Sequence, residues 1–256
     1  MLLYRVGPEG FYAATDEDGD LRVLHSEPFE VRPGGWELGR VVESTKGLLA
    51  PVVPGKIVGC GRNYREHVRE LENPEPEEPV LFLKSPSSVI GPKAPIILPP
   101  ESEQVEFEGE IAVVLRHRLR RASEDEARNA VLGVTCACDV TARDLQRRDA
   151  TFARAKSFDS FCPLGPAIRV DAELEGLEVI TRVDGEERQR GEAKDMTWGP
   201  VELLVYASRM MTLEAGDLLL TGTPGGVGRL TDGDTVEVEI PGVGVLSNTV
   251  EDWRRG

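Results

Sequence analysis

One stretch decides how this chain folds: Val105-Glu-Phe-Glu-Gly-Glu-Ile-Ala-Val-Val-Leu115. Its apolar second half predicts a buried strand. Because side chains two residues apart on a strand point to the same face, Glu108 and Glu110 should converge. Burying two like charges without a cation costs several kcal/mol or forces one pKa upward. A hard divalent metal ion would remove that conflict.

A third carboxylate, Asp139, follows the apolar run Val131-Leu-Gly-Val-Thr-Cys-Ala-Cys138, at the point where a predicted strand ends. Together with Glu108 and Glu110 it would form an all-oxygen site, which suits Mg²⁺, Mn²⁺ or Ca²⁺ rather than zinc. The alternative interpretation is a solvated face, because Glu-x-Glu pairs are common on the outer side of amphipathic strands.

Composition excludes several classes of partner. The 256 residues include 45 acidic and 30 basic side chains, a net charge of −15 that disfavours nucleic acid and anionic membranes. The four cysteines lack metal-binding spacing, and the N-terminus lacks a signal-peptide pattern. No apolar run approaches the ~20 residues that a membrane-spanning helix needs. We therefore expect a soluble, cytoplasmic protein.

The order of predicted elements indicates the fold class. Short alternating segments separated by Gly, Pro and Asp predict a small N-terminal β subdomain over residues 1–50, with a larger domain over 51–256. Strands predominate in the larger part, including one predicted over 105–116. Helices are predicted over 61–70, 123–130, 140–149 and 197–211, the second capped by Ser123. A mainly β (α+β) architecture follows.

Six ordered segments carry a family resemblance: Gly59-Cys-Gly-Arg-Asn-Tyr-Arg-Glu-His-Val-Arg-Glu70, Phe82-Leu-Lys-Ser-Pro-Ser87, Glu106-Phe-Glu-Gly-Glu110, Cys138-Asp-Val-Thr-Ala-Arg-Asp-Leu-Gln146, Lys156-Ser-Phe-Asp-Ser-Phe-Cys-Pro-Leu-Gly165 and Thr221-Gly-Thr-Pro-Gly-Gly-Val-Gly228. Together they resemble the fumarylacetoacetate hydrolase family over most of residues 51 to 256. The resemblance implies a mixed β-sandwich/β-roll core with a small N-terminal subdomain. It also implies a homodimer.

The resemblance implies that Glu108, Glu110 and Asp139 bind Mg²⁺ or Mn²⁺, with Ca²⁺ as a substitute. Substrates would be 2-oxo acids or their 2-hydroxy-diene enols, transformed by metal-enolate chemistry. The favoured reactions are those of 2-hydroxyhepta-2,4-diene-1,7-dioate isomerase and 5-oxopent-3-ene-1,2,5-tricarboxylate decarboxylase in aromatic-acid catabolism. Acylpyruvate hydrolysis and oxaloacetate decarboxylation or tautomerisation are the alternatives. A metal-stabilised binding protein without turnover is the alternative from another class.

Three residues are predicted to act in catalysis. His67 and Glu70 lie three residues apart and would share a helix face, where the carboxylate would orient the imidazole. An exposed histidine is the competing interpretation, and family members that use such a pair to activate water favour the catalytic one. By the same resemblance Lys156 reaches the metal site, where its ammonium would stabilise an enolate.

The remaining candidates are predicted to bind substrate. Arg143 and Gln146 follow Asp139 on one helical face, and Arg143 could hold a carboxylate through its bidentate fork. Arg147 and Arg148 are interpreted as surface residues. The loop at 221–228 lacks the spacing of a nucleotide-binding loop, so its backbone and Thr223 are expected to line the pocket. The full predicted set is Arg62, Asn63, Tyr64, Lys84, Arg143, Gln146 and Thr223.

Overall fold

In a computed structural model the chain is described over residues 1–29, 35–42, 47–70 and 74–255, with only the backbone described at 67–69 and 255. The strands are β1 (Leu2–Val6), β2 (Phe11–Thr15), β3 (Leu21–Leu24), β4 (Leu38–Val41), β5 (Ile57–Gly61), β6 (Val80–Lys84), β7 (Val89–Ile90), β8 (Ile96–Leu98), β9 (Val105–Phe107), β10 (Gly109–Leu115), β11 (Val131–Cys138), β12 (Thr141–Ala142), β13 (Cys162–Val170), β14 (Glu178–Val183), β15 (Glu186–Glu192), β16 (Leu218–Leu220), β17 (Gly228–Arg229), β18 (Thr235–Ile240) and β19 (Gly244–Asp252). The helices are α1 (Arg65–Glu70), α2 (Glu124–Asn129), α3 (Arg143–Arg148), α4 (Ala153–Lys156) and α5 (Pro200–Met210).

Three sheets organise the described part of the chain. An eleven-stranded sheet runs β4-β3-β2-β1-β13-β11-β10-β16-β5-β6, with β7 beside β13. A five-stranded sheet, β15-β14-β18-β19-β8, packs across its centre, and a three-stranded sheet joins β12, β9 and β17. The predicted mainly β architecture with few helices is confirmed.

Strand β10 is buried on both faces, which explains its unbroken apolar run. Ile111 and Val113 belong to the core between the two larger sheets. Ala112 and Val114, which point the opposite way, belong to a second core cluster that also contains Leu3 of β1. A strand enclosed in this way places residues at its beginning deep inside the molecule.

The N-terminal strands continue the large sheet. Leu2 and Leu3 of β1 pair with Arg169 and Ile168 of β13, so the β1–β4 meander is joined edge to edge to the central strands. The division into 1–50 and 51–256 stays a prediction, and the shared sheet and core cluster show how closely the two segments are associated.

The strand predicted over 105–116 is wrong in one respect, because the chain changes sheets at Glu108. Strand β9 pairs with β12 and β17, whereas β10 pairs with β11 and β16. Gly109 makes the crossing possible: a Cβ there would lie 1.9 Å from Thr181 Oγ1. Its backbone N–H donates instead to Gln189 Oε1 at 2.9 Å.

Helix α2 begins with the N-terminal cap that the sequence predicts. Ser123 caps α2 in a capping box with Glu126, whose backbone N–H donates to Ser123 Oγ at 3.3 Å and whose carboxylate accepts the Ser123 N–H at 2.8 Å.

All four cysteines are buried free thiols. Within the described residues, the helices are all too short and too polar to span a bilayer.

Candidate metal centre and substrate cavity

Three carboxylates converge on the lining of a cavity of about 400 Å³. Glu108 lies at the crossing between β9 and β10, Glu110 is the second residue of β10, and Asp139 directly follows β11. The pairing of Gly109 with Cys138 sets Asp139 opposite Glu108, and the Asp139 N–H donates to Glu108 O at 2.7 Å. One carboxylate oxygen from each residue lies within 4.8 Å of the others.

Two lysines and one arginine contact this trio of carboxylates. Lys156 Nζ, at the end of α4, donates to Glu108 Oε2 at 2.6 Å and to Asp139 Oδ2 at 2.5 Å. Burial opposes its charge, but Asp139 and Glu108 raise the pKa of Lys156 above its usual value. Lys156 is therefore held as an ammonium, 4.9 Å from the centroid of the Phe82 ring.

The second cation, Lys84, is completely buried behind the carboxylates. Its Nζ lies 2.7 Å from Asp139 Oδ1 and also donates to the backbone oxygens of Val140 and Lys156. Lys84 is not part of the cavity lining. The structure thus gives it contacts that hold Asp139 in place, and its predicted substrate contact stays a prediction.

Three nitrogens of Arg143 donate hydrogen bonds to other side chains of the protein. Its Nε donates to Glu106 Oε2 at 2.7 Å, Nη2 to Glu108 Oε1 at 2.5 Å and Nη1 to Gln146 Oε1 at 2.6 Å. Burial opposes the charge of Arg143, yet Glu108 and Glu106 raise its pKa. Glu106, which the sequence reasoning did not select, thereby helps to orient the arginine that contacts Glu108.

Glu110 differs from its neighbours because it contacts no lysine or arginine among the described residues. Its Oε2 accepts the Gly222 N–H at 2.6 Å. Burial, with Asp139 and Glu108 nearby, raises the pKa of Glu110 well above its usual value. In the local network four carboxylates (Glu106, Glu108, Glu110 and Asp139) face three cations (Lys84, Arg143 and Lys156).

This shortage of positive charge fits a divalent cation. The donors are all oxygens, converge at short range and are buried, which matches the preferences of Mg²⁺ and Mn²⁺. The carboxylates of Glu108, Glu110 and Asp139 would hold the ion. Its charge would keep Glu110 ionised, because the carboxylate would gain the opposite charge that the protein alone does not supply.

The rest of the cavity lining is partly aromatic and partly polar. Phe82 and Phe152 meet edge to face, with ring centroids 5.9 Å apart, and lie on the lining beside Cys60. The polar lining is contributed by Arg62, Gln146, Arg147 and Thr223. Arg147, interpreted from sequence as a surface residue, is exposed but borders this cavity.

Other predicted residues lie behind the lining. Asn63 is fully buried and donates to Trp198 O at 2.9 Å and to Thr221 O at 2.7 Å, which fixes the start of the 221–228 loop. Tyr64 is 2% exposed and belongs to the main core. The structure brings neither residue to the lining of the main cavity.

Thr223 is held at the cavity by a residue that sequence reasoning missed. Thr223 Oγ1 donates to Gly109 O at 2.9 Å and lies 2.8 Å from Gln189 Nε2, which also donates to Pro224 O. Gln189 therefore joins the loop to the start of β10. Gln189 is a buried position of β15 between exposed charged residues, a pattern that predicts a side chain facing the interior. No local sequence motif indicates that it lies near the cavity.

The predicted His67–Glu70 pair is described only in part. The backbone of His67 lies in α1, but its side chain lies outside the described residues. The Glu70 carboxylate accepts the Gly226 N–H at 3.0 and 3.1 Å. Glu70 thus attaches α1 to the glycine-rich loop that carries Thr223.

Comparison with known proteins agrees with this arrangement. The sequence model described as "Fumarylacetoacetate (FAA) hydrolase C-terminal" matches residues 56–251. The chain belongs to the fumarylacetoacetate hydrolase family. Among its relatives in this family is the mitochondrial oxaloacetate tautomerase FAHD2A of Bos taurus, 42% identical over 216 residues, which are 79% of this chain and 69% of the relative.

Solved structures in the comparison share the whole fold. A 5-carboxymethyl-2-hydroxymuconate delta-isomerase from Mycobacterium smegmatis is 38% identical, with a TM-score of 0.89 over 98% of this chain and 100% of that one. A 2-hydroxyhepta-2,4-diene-1,7-dioate isomerase from Mycobacterium marinum is 36% identical, with a TM-score of 0.87 over 99% of each chain. The family, its fold and an acidic trio suited to metal are therefore established for this chain, and the named relatives are enzymes.

Proposed function

We propose that the protein is a Mg²⁺- or Mn²⁺-dependent enzyme that acts on 2-oxo acids or their 2-hydroxy-diene enols by metal-enolate chemistry, of the 2-hydroxyhepta-2,4-diene-1,7-dioate isomerase or oxo-tricarboxylate decarboxylase type in aromatic-acid catabolism. The observation that carries the proposal is the convergence of Glu108, Glu110 and Asp139, all buried, on the lining of a cavity. Relatives named as isomerases and as an oxaloacetate tautomerase support this class of reaction.

A bound divalent cation would supply Lewis-acid polarisation of the substrate's 2-oxo group. Lys156 complements it, because an ammonium fixed between Glu108 and Asp139 is already oriented when negative charge develops on a substrate oxygen. Its raised pKa makes Lys156 a source of positive charge rather than a proton acceptor. We assign proton transfer to His67, oriented by Glu70.

The aromatic wall and the loop complete the environment. Phe82 and Phe152 present flat apolar surfaces on which a conjugated substrate can lie. Thr223, fixed by Gly109 and Gln189, offers a hydroxyl at the lining. Both features restrict water and orient the substrate without taking part in bond breaking.

The first test is an ultraviolet assay of a 2-hydroxy-dienedioate, oxaloacetate and an acylpyruvate, each with Mg²⁺, with Mn²⁺ and with EDTA. The expected result is metal-dependent loss of the dienol or enol absorbance of one of these substrates, without a second product for an isomerase and with release of CO₂ for a decarboxylase. Glu110→Gln, which retains the volume of the side chain but not its charge, should remove that activity. Tight metal binding with no turnover of any of the three would favour the metal-stabilised binding protein.

Hydrolysis of a C–C bond is the second candidate, favoured by the contact between Glu70 and Gly226. That contact attaches the helix of His67 to the loop at the cavity, where an imidazole could activate water. His67→Ala should then remove cleavage of an acylpyruvate while the affinity for Mg²⁺ stays unchanged. Cleavage at the wild-type rate in that variant would exclude His67 from hydrolysis.

A homodimer is part of the proposal and is supported by the family resemblance. Light scattering coupled to size exclusion should give twice the mass of one chain. A species with the mass of a single chain that retains full turnover would contradict it.

A further inference from the structure

The backbone of Gly109 lies where one ladder of the large sheet ends. Strand β10 pairs with β16 over residues 112–114, and the ladder continues as far as the Thr221 N–H, which donates to Ile111 O at 3.1 Å. Gly109 is buried and lies beyond the last of these contacts. Buried N–H and C=O groups at the end of a ladder need partners outside it.

Two side chains supply these partners. The Gly109 N–H donates to Gln189 Oε1 at 2.9 Å, and Gly109 O accepts the hydroxyl of Thr223 at 2.9 Å. Gln189 Nε2 completes a ring of hydrogen bonds by donating to Thr223 Oγ1 at 2.8 Å, and it also donates to Pro224 O at 2.8 Å. Because a backbone N–H can only donate, the orientation of the carboxamide is fixed. We call Gly109, Gln189 and Thr223 the Gly109 bracket.

Gln189 is itself rigidly placed. It is 1% exposed and pairs, within β15, with Thr181 of β14. Strand β15 packs so closely on the 221–228 loop that a Cβ on Gly226 would lie 2.0 Å from Arg188 O. If the carboxamide turned away, it would leave buried backbone groups unpaired, which costs more than the bonds themselves contribute. The Gly109 bracket is therefore a fixed support of the site.

The Gly109 bracket acts on the two peptide units that separate Glu108 from Glu110. The Gly109 N–H belongs to the first unit and Gly109 O to the second, so both units are held. Glu108 has further support, because two cations contact its carboxylate. No cation in the described part of the chain contacts Glu110, whose Oε2 accepts the Gly222 N–H. The direction of the Glu110 side chain thus depends largely on its backbone.

We propose that Gln189 is a positioning residue that sets the metal selectivity of the site. By fixing the backbone between Glu108 and Glu110, it holds their oxygens in the narrow geometry that Mg²⁺ requires and disfavours Ca²⁺. Mg²⁺ demands near-ideal octahedral ligands at about 2.0–2.1 Å, whereas Ca²⁺ accepts about 2.3–2.6 Å and a flexible geometry. Rigid ligands discriminate between these ions better than flexible ones. This inference rests on the metal-dependent function proposed above.

The test compares two substitutions that replace a buried carboxamide by an apolar group of similar shape. Gln189→Met removes the Gly109 bracket, and Asn248→Leu is the matched control. Asn248 is also 1% exposed and donates to Gly91 O at 2.9 Å and to Ala94 O at 2.8 Å, but it is not part of the cavity lining. Both variants should lower the melting temperature by several degrees, because each leaves buried carbonyl groups without a donor.

Calorimetric titration of the metal-free protein, without substrate, gives the dissociation constants for Mg²⁺ and Ca²⁺. In Gln189→Met we expect the affinity for Mg²⁺ to fall on the order of 10- to 100-fold, the usual effect of losing a residue that supports a metal ligand. The affinity for Ca²⁺ should fall less, so that the preference for Mg²⁺ decreases by about tenfold. Asn248→Leu should leave both dissociation constants at their wild-type values.

Thr223 provides an independent measurement, which serves also if Gln189→Met does not fold. Thr223→Val removes the hydroxyl that binds Gly109 O and keeps nearly the same volume, whereas Thr223→Ser retains the hydroxyl. Of these two variants, Thr223→Val alone should lower the preference for Mg²⁺. Combined with Gln189→Met, its effect on Mg²⁺ affinity should be less than additive, because both substitutions release the same peptide units.

The outcomes distinguish this inference from the proposed function. Wild-type selectivity in Gln189→Met, or an equal loss of Mg²⁺ and Ca²⁺ affinity, would overturn the positioning role alone. A matching loss of Mg²⁺ preference in Asn248→Leu would also overturn it, because the effect would then follow stability rather than the Gly109 bracket. Binding of neither ion by the wild-type protein would overturn the proposed function and this inference together.

Discussion

Asp217 and Glu110 are two buried carboxylates in very different surroundings. Asp217 accepts the Lys56 N–H at 2.9 Å, the Glu214 N–H at 2.7 Å and the Lys56 ammonium at 2.5 Å. Glu110 accepts one backbone N–H, from Gly222, and is repelled by Asp139 and Glu108. One carboxylate has its charge balanced by the fold, and the other does not.

The difference teaches how to separate a structural carboxylate from a functional one. A buried charge with a cation and several hydrogen bonds is satisfied by the protein and needs no ligand. A buried charge that the protein leaves without a cation either takes up a proton or binds a positive ligand. On this criterion Asp217 fixes the turn before β16, and Glu110 belongs to the metal centre.

The largest effect should come from Glu110→Gln. Losing one of three metal ligands should lower metal-dependent turnover ~1,000-fold or more. Without metal the variant should be as stable as wild type or more so, because it no longer buries a carboxylate whose pKa is raised on folding. Mg²⁺ should raise the melting temperature of wild type and not of the variant. Equal Mg²⁺ stabilisation of both would remove Glu110 from the metal centre.

A smaller loss of turnover, on the order of 100-fold, is expected from Lys156→Met, since one preorganised charge is removed. Unlike Glu110→Gln, the Lys156→Met substitution should not weaken Mg²⁺ binding. Because the ammonium repels a cation bound to Glu108 and Asp139, its removal should leave the affinity unchanged or increase it. Weaker Mg²⁺ binding in a calorimetric titration would show that Lys156 orients the ligands instead.

The complementary variant, Asp217→Ala, should affect folding and leave the metal centre intact. Two backbone N–H groups lose their acceptor, and Lys56, about a third exposed, can turn to solvent. We expect a loss of about 1–3 kcal/mol in the free energy of unfolding. The melting temperature should fall by roughly 2–4 °C for each kcal/mol. A fall in the Mg²⁺ affinity of Asp217→Ala at 25 °C would show that Asp217 also supports the metal centre, and would contradict its assignment as a purely structural carboxylate.

The smallest effect is expected far from both carboxylates. Ser123→Ala removes the side-chain half of the capping box of α2 and should cost about 1 kcal/mol in stability. Chemical denaturation measures this loss, and Ser123→Asp, which restores a cap, should recover most of it. Mg²⁺ affinity and turnover should be identical to wild type.

Several of these features can be predicted from the sequence. The apolar run from Ile111 to Leu115 predicted a buried strand, and the positions of Glu108, Glu110 and Asp139 at strand ends predicted an acidic cluster, which the structure brings together. The cap at Ser123 also followed from local pattern. Each of these predictions rests on a local signal: an apolar run, a carboxylate at a strand end, or a capping sequence.

Features that depend on distant residues were missed. The break in the strand at Glu108 arises because β9 and β10 pair with different sheets. Gln189 bonds to Gly109 across 80 residues of sequence. Arg147 is exposed, as its place on a predicted surface helix indicates, but only the fold shows that it also borders the cavity.

The sequence by itself determined that residues 111–115 form a buried strand, that the architecture is mainly β, and which three carboxylates could meet. Periodicity and strand ends are properties of a few adjacent residues, so they are visible without the fold. Only the tertiary structure decided how charge is distributed around those carboxylates: Lys84, Arg143 and Lys156 contact Glu108 and Asp139, whereas no cation in the described part of the chain contacts Glu110. Electrostatic balance is a sum over neighbours in space, and strand pairing between remote segments sets those neighbours.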